Sequence, residues 1–191
     1  MILLAGPNGA GKSTLYDARV APSFAGAFIN ADIIQRDELR DASPEASYEA
    51  ARIASRRRAE YLAKGRDFVT ETVFSHRSKL DLVGEARAAG FTVIVMHVGV
   101  DSPELSVRRV SARVDEGGHL VPTDKIRARF ERGVPLIRAA VLAADRGMVF
   151  DNSGLNRLPI HCLTFSDGRL VFALPRLPAW TQAAYETDLA L

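Results

Sequence analysis

The sequence predicts an α/β fold: a mainly parallel, five-stranded sheet flanked by helices, with a β-hairpin near the C-terminus. Three observations predict it. Short runs of β-formers alternate with longer helical stretches up to about Phe150, the pattern of repeated strand–helix–strand units. A glycine-rich stretch, Gly6-Pro7-Asn8-Gly9-Ala10-Gly11-Lys12-Ser13-Thr14, stands between the first apolar run and the first helix, where a parallel sheet places a ligand loop. Hydrophobic residues make up 47% and charged residues 25%, the balance of a globular domain with a buried core.

The elements follow in order. Met1 to Ala5 is a short apolar strand, and Ser13 opens a helix that breaks at Ala21-Pro22. Ala27-Phe28-Ile29-Asn30 reads as the second strand and Ala31 to Arg40 as a short helix or turn. Ser43 caps a helix that has Pro44 at its first position, where the missing N–H costs nothing. That helix runs to about Lys64, where Gly65 stops it. Asp67 to Glu71 is the third strand, Arg77 to Ala89 a helix closed by Gly90, and Phe91 to Val98 the fourth strand. Asp101-Ser102-Pro103-Glu104 opens a helix to Glu116, with Asp101 given a capping role, and Gly117-Gly118-His119 breaks it. Pro122-Thr123-Asp124 opens the next helix, to about Arg146, and Met148 to Phe150 is the fifth strand. Ile160 to Phe165 and Arg169 to Ala173 flank Ser166-Asp167-Gly168 as a hairpin, expected to extend the sheet edge. A short helix follows Pro178.

The whole chain, 1–191, is expected to be one domain, with a lid at about 103–130 and the hairpin at about 159–174. The loop lies so close to the start that no preceding domain is expected. The single Cys162 excludes an internal disulfide and suits a reducing, cytoplasmic location. No apolar run approaches membrane-spanning length, and with a net charge of +2 the chain shows no clear nucleic-acid surface.

Residues 6–14 fit G-x-x-x-x-G-K-[ST], the phosphate-binding P-loop. Its glycines let the backbone approach an anion closely, and its N–H groups converge on phosphate oxygens at the positive end of the helix. Lys12 would reach the β- and γ-phosphates of ATP, and the Ser13 hydroxyl would hold Mg²⁺.

Asp32 follows the second strand, on the same rim as the loop. A carboxylate there can orient an acceptor hydroxyl and take its proton, or simply cap the helix after Asn30-Ala31. Glu71 and Thr72 end the third strand at that rim and are expected to bind the acceptor, Glu71 alternatively standing behind Mg²⁺. Arg109 and Arg113 are four residues apart and share a helix face. Before a glycine hinge, that face suits a lid closing over phosphates, with Arg113 offsetting charge in the transition state. His119 and Arg129 are further candidates for contact with the substrate. Arg56-Arg57-Arg58 is read as a solvated basic face.

Together these residues resemble the zeta toxin family of P-loop kinases. The resemblance rests on Gly6 to Thr14, Ile29-Asn30-Ala31-Asp32, Glu71, Pro103-Glu104-Leu105-Ser106 with Arg113, and Val149-Phe150-Asp151-Asn152-Ser153. Arg113 through Gly117-Gly118-His119-Leu120-Val121-Pro122 to Arg129-Phe130 looks like its GGH-x-VP branch. The resemblance implies an ATP- and Mg²⁺-dependent kinase acting on the 3′-hydroxyl of UDP-N-acetylglucosamine. In it Asp32 is the base, Lys12 and Arg113 stabilise the moving phosphoryl group, and Glu71 binds the sugar nucleotide. An antitoxin protein is the implied partner, although the toxins' antitoxin-contacting N-terminal segment has no counterpart here. The toxins also carry a second lid arginine about where this chain has His119, and their Glu-Gly-Thr is here Glu71-Thr72-Val73. The alternatives are a kinase of another hydroxyl acceptor (a metabolite, an antibiotic or a polynucleotide end) and a nucleotide-binding module without turnover.

Overall fold

The computed structural model describes residues 1–74, 76–115 and 121–189, with 113–115 described as backbone only. Among the described residues seven strands form one sheet: β1 (Ile2–Ala5), β2 (Ala27–Ile29), β3 (Phe68–Thr72), β4 (Ile94–Gly99), β5 (Arg146–Asp151), β6 (Ile160–Ser166) and β7 (Arg169–Ala173). Their order is β2-β3-β1-β4-β5-β6-β7. The first five run parallel, and the β6–β7 hairpin continues the sheet antiparallel from β5, as expected from the sequence.

The helices are α1 (Lys12–Leu15), α2 (Ala31–Ile33), α3 (Pro44–Ala63), α4 (Ser78–Ala88), α5 (Pro103–Asp115), α6 (Thr123–Ala143) and α7 (Ala179–Tyr185). Helices α1 and α2 each continue as a π-helical turn, over Tyr16–Val20 and Ile34–Leu39. Ser43 caps α3 as the sequence indicates, accepting from the Ala46 N–H. At α5 the cap is Ser102, whose Oγ accepts from the Leu105 N–H. Asp101 instead accepts a hydrogen bond from the Ser102 hydroxyl, so the expected capping role passes one residue along.

Two apolar clusters hold the layers together. One gathers Leu3, Phe68, Val95, Val149 and Phe165 with Ala50, Ala54 and Ile137 from the helices. The other packs Leu4, Val69, Val98 and Phe150 with Leu15 and Leu105. Burying side chains of this size contributes on the order of 2 kcal/mol each. Helix α7 seats Trp180 against Gly99, where a Cβ would meet the indole at 2.3 Å. The indole Nε1–H then donates to Asp151 Oδ1 at 2.7 Å, so the C-terminal helix closes the end of β4 and β5.

No helix among the described residues is long and apolar enough to cross a membrane.

Candidate active site

In a parallel sheet the carboxyl ends of the strands share one rim. Here β1 delivers the loop at 6–11, β2 delivers Asn30 and Asp32, and β3 delivers Glu71 and Thr72. The register pairs Leu4 with Glu71 and Ala5 with Thr72, so both lie beside the point where β1 turns into the loop.

The loop's glycines answer to separate constraints. Gly9 and Gly11 have φ of 72° and 87°, a region that disfavours other residues. A Cβ on Gly6 would lie 2.2 Å from the Val98 carbonyl oxygen, and one on Gly11 would lie 2.2 Å from Asn152 Nδ2. The loop is therefore pressed against β4 and against the end of β5. Asn152 also donates to the Ala10 carbonyl at 2.8 Å.

Lys12 is buried, and its ammonium donates to the carbonyls of Gly6 (3.1 Å) and Pro7 (3.0 Å). It also lies 3.5 Å from Glu71 Oε1. The Ser13 hydroxyl donates to Glu71 Oε2 at 2.9 Å, and Asn30 Nδ2 donates to the same oxygen at 3.1 Å. One carboxylate thus gathers the lysine and serine of the loop and is braced from β2.

Asn30 does a second job through its other side-chain atom. Its Oδ1 accepts from the N–H groups of Asp32 (2.8 Å) and Ile33 (3.4 Å) and so caps α2. The cap that the sequence allowed for Asp32 belongs to Asn30. Asp32 itself is exposed at the start of α2, and its carboxylate has no hydrogen-bond or ion-pair partner among the described residues.

An open cleft of about 520 Å³ runs from the loop toward β5, lined by Gly9, Gly11, Thr14, Arg109, Asn152 and Arg157 among others. Arg109 is a tie across it. Its guanidinium donates to the carbonyls of Asn152 (2.8 Å), Gly154 (3.0 Å) and Gly9 (3.5 Å), fixing α5 to the loop and to the segment after β5. That segment is shaped by Asp151, which accepts from Ser153 Oγ at 2.5 Å and faces Arg157 at 3.6 Å. The sequence paired Arg109 with Arg113 on a lid face and did not register it as an anchor. The sequence carried no local signal for this role, because it depends on the fold bringing α5 over the loop, with the Ser106 carbonyl covering Gly9.

Arg113 lies on α5, but its side chain is outside what is described, and His119 lies outside the described residues. Arg129 is half-buried on α6, and the residues described give it no hydrogen bond or ion pair. The Arg56-Arg57-Arg58 run is not one solvated face. Arg57 pairs with Glu38 through two 2.6 Å hydrogen bonds, whereas Arg58 is buried because it continues the sheet-facing stripe of Ala46, Ala50 and Ala54.

Comparison with known proteins agrees with this architecture. A curated relative, an uncharacterised protein of Haemophilus influenzae, is 28% identical over 130 residues, covering 68% of this chain and 91% of its own. Among solved structures, the AvrRxo1-ORF1:-ORF2 complex contains a chain of the same fold, with a TM-score of 0.68 at 15% identity over 89% of this chain. The match spans 59% of that longer chain. A chain of the PezAT chromosomal toxin–antitoxin system of Streptococcus pneumoniae aligns over 98% of this chain and 83% of its own, with a TM-score of 0.63 at 14% identity. A family model described as an AAA domain matches residues 1–134, a stretch that takes in the loop, Asn30, Asp32, Glu71 and Arg109. The chain belongs to this AAA-domain family, on a P-loop α/β fold.

Proposed function

We propose that the chain is a kinase that transfers the γ-phosphoryl group of ATP to a hydroxyl of a small acceptor, namely a nucleotide sugar such as UDP-N-acetylglucosamine. The observation that carries the reading is the Asn30–Asp32 arrangement. Asn30 caps the helix, so the Asp32 carboxylate is left unpartnered on the rim that holds Lys12 and Ser13. A pure nucleotide binder has no use for a second, free carboxylate on that rim.

In this reading ATP lies on the loop, its phosphates taken by backbone N–H groups of residues 9–14 and by Lys12. Mg²⁺ suits the residues present, because Ser13 Oγ and the Glu71 carboxylate are adjacent hard oxygen donors. Ser13 would hold the ion with Glu71 behind it; bound, it screens the phosphate charge. The acceptor hydroxyl attacks the γ-phosphorus, the bond to the β–γ bridging oxygen breaks, and ADP leaves. Asp32 takes the hydroxyl proton, late in a loose transition state where an ordinary aspartate suffices. Glu71 and Thr72 border the acceptor's side of the rim, and Arg113, Arg129 and His119 are the groups proposed to approach from the lid.

For the acceptor, support comes from the resemblance to zeta toxins in Gly6 to Thr14, Ile29 to Asp32, Glu71 and Arg113. The fold shared with a toxin–antitoxin protein agrees with it, and an antitoxin-like partner belongs to the same proposal. The test is direct. Protein, ATP, Mg²⁺ and UDP-N-acetylglucosamine are incubated and the sugar nucleotide is weighed by mass spectrometry. A product heavier by one phosphoryl group supports the reading. Transfer only to an unrelated acceptor removes the nucleotide sugar, and ATP binding without transfer to any hydroxyl in a broad panel removes the kinase.

A further inference from the structure

Arg58 is a charged side chain without a counterpart. It lies on the sheet-facing stripe of α3 and is 8% exposed. Its guanidinium makes no hydrogen bond or ion pair with any described residue. Its neighbour Arg57 shows what the same helix does with an ordinary arginine: a two-pronged pair with Glu38 at the surface. Leaving a buried charge unpaired is costly, and ionisable groups perturbed by burial cluster at functional sites. The guanidinium is not walled in either. The sealed side-chain atoms without partners among the described residues belong to Asn8, His97, Ser106 and Thr181, not to Arg58.

A cleft of about 620 Å³ opens on the same helix, lined by Glu45, Tyr48, Ala51, Arg52 and Ser55 of α3 and by Lys79. Tyr48, Ala51 and Ser55 follow each other at helical spacing on α3, and Arg58, three residues after Ser55 and four after Ala54, falls at the border between that face and the buried alanine stripe. Long side chains on a helix lean toward its N-terminus, which brings the guanidinium toward the level of Ser55. Across the cleft stands Lys79, in the first turn of α4, half-buried, its ammonium without a hydrogen bond or ion pair among the described residues. Its pKa is pulled down by burial and then by the charge of Arg58, so the two cations sense each other. Arg52, by contrast, is occupied by Glu49.

The cleft lies between α3 and the first turn of α4, the helices that follow β2 and β3, and in a parallel sheet such helices start from the carboxyl ends of the strands. Gln35, three residues after Asp32, donates to the carbonyls of Asp41 and Ser43 and so ties α2 to the N-cap of α3. Lys79 follows Glu71 after one short connection.

We propose that Arg58 and Lys79 form an anion subsite for the acceptor, binding a phosphate or carboxylate of that molecule while its hydroxyl meets Asp32. The proposal rests on the kinase reading and deepens it by naming the second group that the acceptor must carry. Tyr48, 71% exposed on the cleft wall, offers a ring face to a base or sugar beside that anion. A nucleotide sugar, with its diphosphate, meets the requirement, and so does a hydroxy acid.

The test keeps the P-loop filled, so that anions cannot bind there. Protein saturated with ADP and Mg²⁺ is titrated by calorimetry with uridine diphosphate, uridine and succinate, as wild type, Arg58→Met and Lys79→Met. Uridine diphosphate or succinate should bind more tightly than uridine, and each variant should weaken that binding by about tenfold or more, as expected when a charged hydrogen bond is removed. Preference for the diphosphate assigns a phosphate, and preference for succinate a carboxylate. Arg58→Met should also raise the melting temperature of the unliganded protein, because it removes an uncompensated charge from the interior. Should that variant misfold, Lys79→Met, at a half-exposed site, carries the test. Neither anion binding better than uridine, or both variants binding like wild type, overturns the subsite. The titration contains no ATP and no transfer step, so its outcome is independent of whether the chain is a kinase.

Discussion

The Ser13 hydroxyl donates to Oε2 of Glu71 at 2.9 Å, joining the phosphate loop to the end of the neighbouring strand. The same carboxylate lies 3.5 Å from Lys12 through its other oxygen. Glu71 therefore holds the two loop side chains that ATP and a divalent ion would claim, and it keeps the lysine charge balanced until they do.

Replacing Glu71 by Gln keeps the shape and the acceptor oxygen but removes the charge. Phosphoryl transfer should fall by at least about tenfold, the scale on which a charge placed beside a transition state acts. The Mg²⁺ concentration for half-maximal activity should rise several-fold. The check is a Mg²⁺ titration at saturating ATP, and an unchanged curve would mean that Glu71 only shapes the strand end.

Lys12→Ala and Asp32→Asn should fail differently. The first removes the loop's only ammonium and should abolish tight ATP binding. The second keeps ATP binding and loses transfer, on the order of 10²-fold or more, because an amide cannot accept the proton. Binding by calorimetry alongside single-turnover transfer separates them. Near-wild-type turnover of Asp32→Asn would return Asp32 to a surface role.

Much of this was legible in the chain. The glycine spacing gave the loop, and period and punctuation gave the parallel sheet and the hairpin at its edge, because both signals are local. The divided labour of Asn30 was not legible. Asn and Asp both cap helices, and only the placement of Glu71, 41 residues away, decides which of them is occupied. Arg58 was misread for a related reason. Three arginines in a row read as a solvated face, but a helix turns each one about 100° from the last, and the third falls on the alanine stripe against the sheet.

Asn30 can be split into its two functions. Asn30→Ala removes the cap and the brace together and should cost about 1 kcal/mol of stability as well as activity. Asn30→Asp keeps a capping oxygen but sets a second carboxylate against Glu71, where like charges repel. It should therefore retain most of the stability and lose most of the transfer. Urea midpoints measured beside kcat decide it: a loss of activity that merely tracks the loss of stability in both variants would show that the brace to Glu71 is idle.

His97 supplies a pH dependence distant from the chemistry. It is fully buried on β4, bonded through Nδ1 to the Tyr185 hydroxyl at 2.8 Å and edge-on to Trp180. Burial pushes its pKa down to about 3, from about 6.5 in the unfolded chain. Between those values the unfolded chain carries the extra proton, so acid favours unfolding. The contribution of His97 is complete above about pH 6.5, falls by roughly 1.4 kcal/mol per pH unit as the pH drops, and levels off below about 3. His97→Phe preserves a ring in the same space and cannot take up the proton, although it leaves the Tyr185 hydroxyl unpartnered and should cost about 1–3 kcal/mol at neutral pH. The two proteins should therefore converge in stability as the pH is lowered from 7.5 toward 4.5, since only the wild type is destabilised by protonation there. Carboxylates titrate in both and cancel in the difference. Urea unfolding of the pair across that range measures it, and a gap that stays constant would show that His97 keeps an ordinary pKa when folded, or finds a proton-accepting partner through Nε2, the ring atom that has none among the described residues.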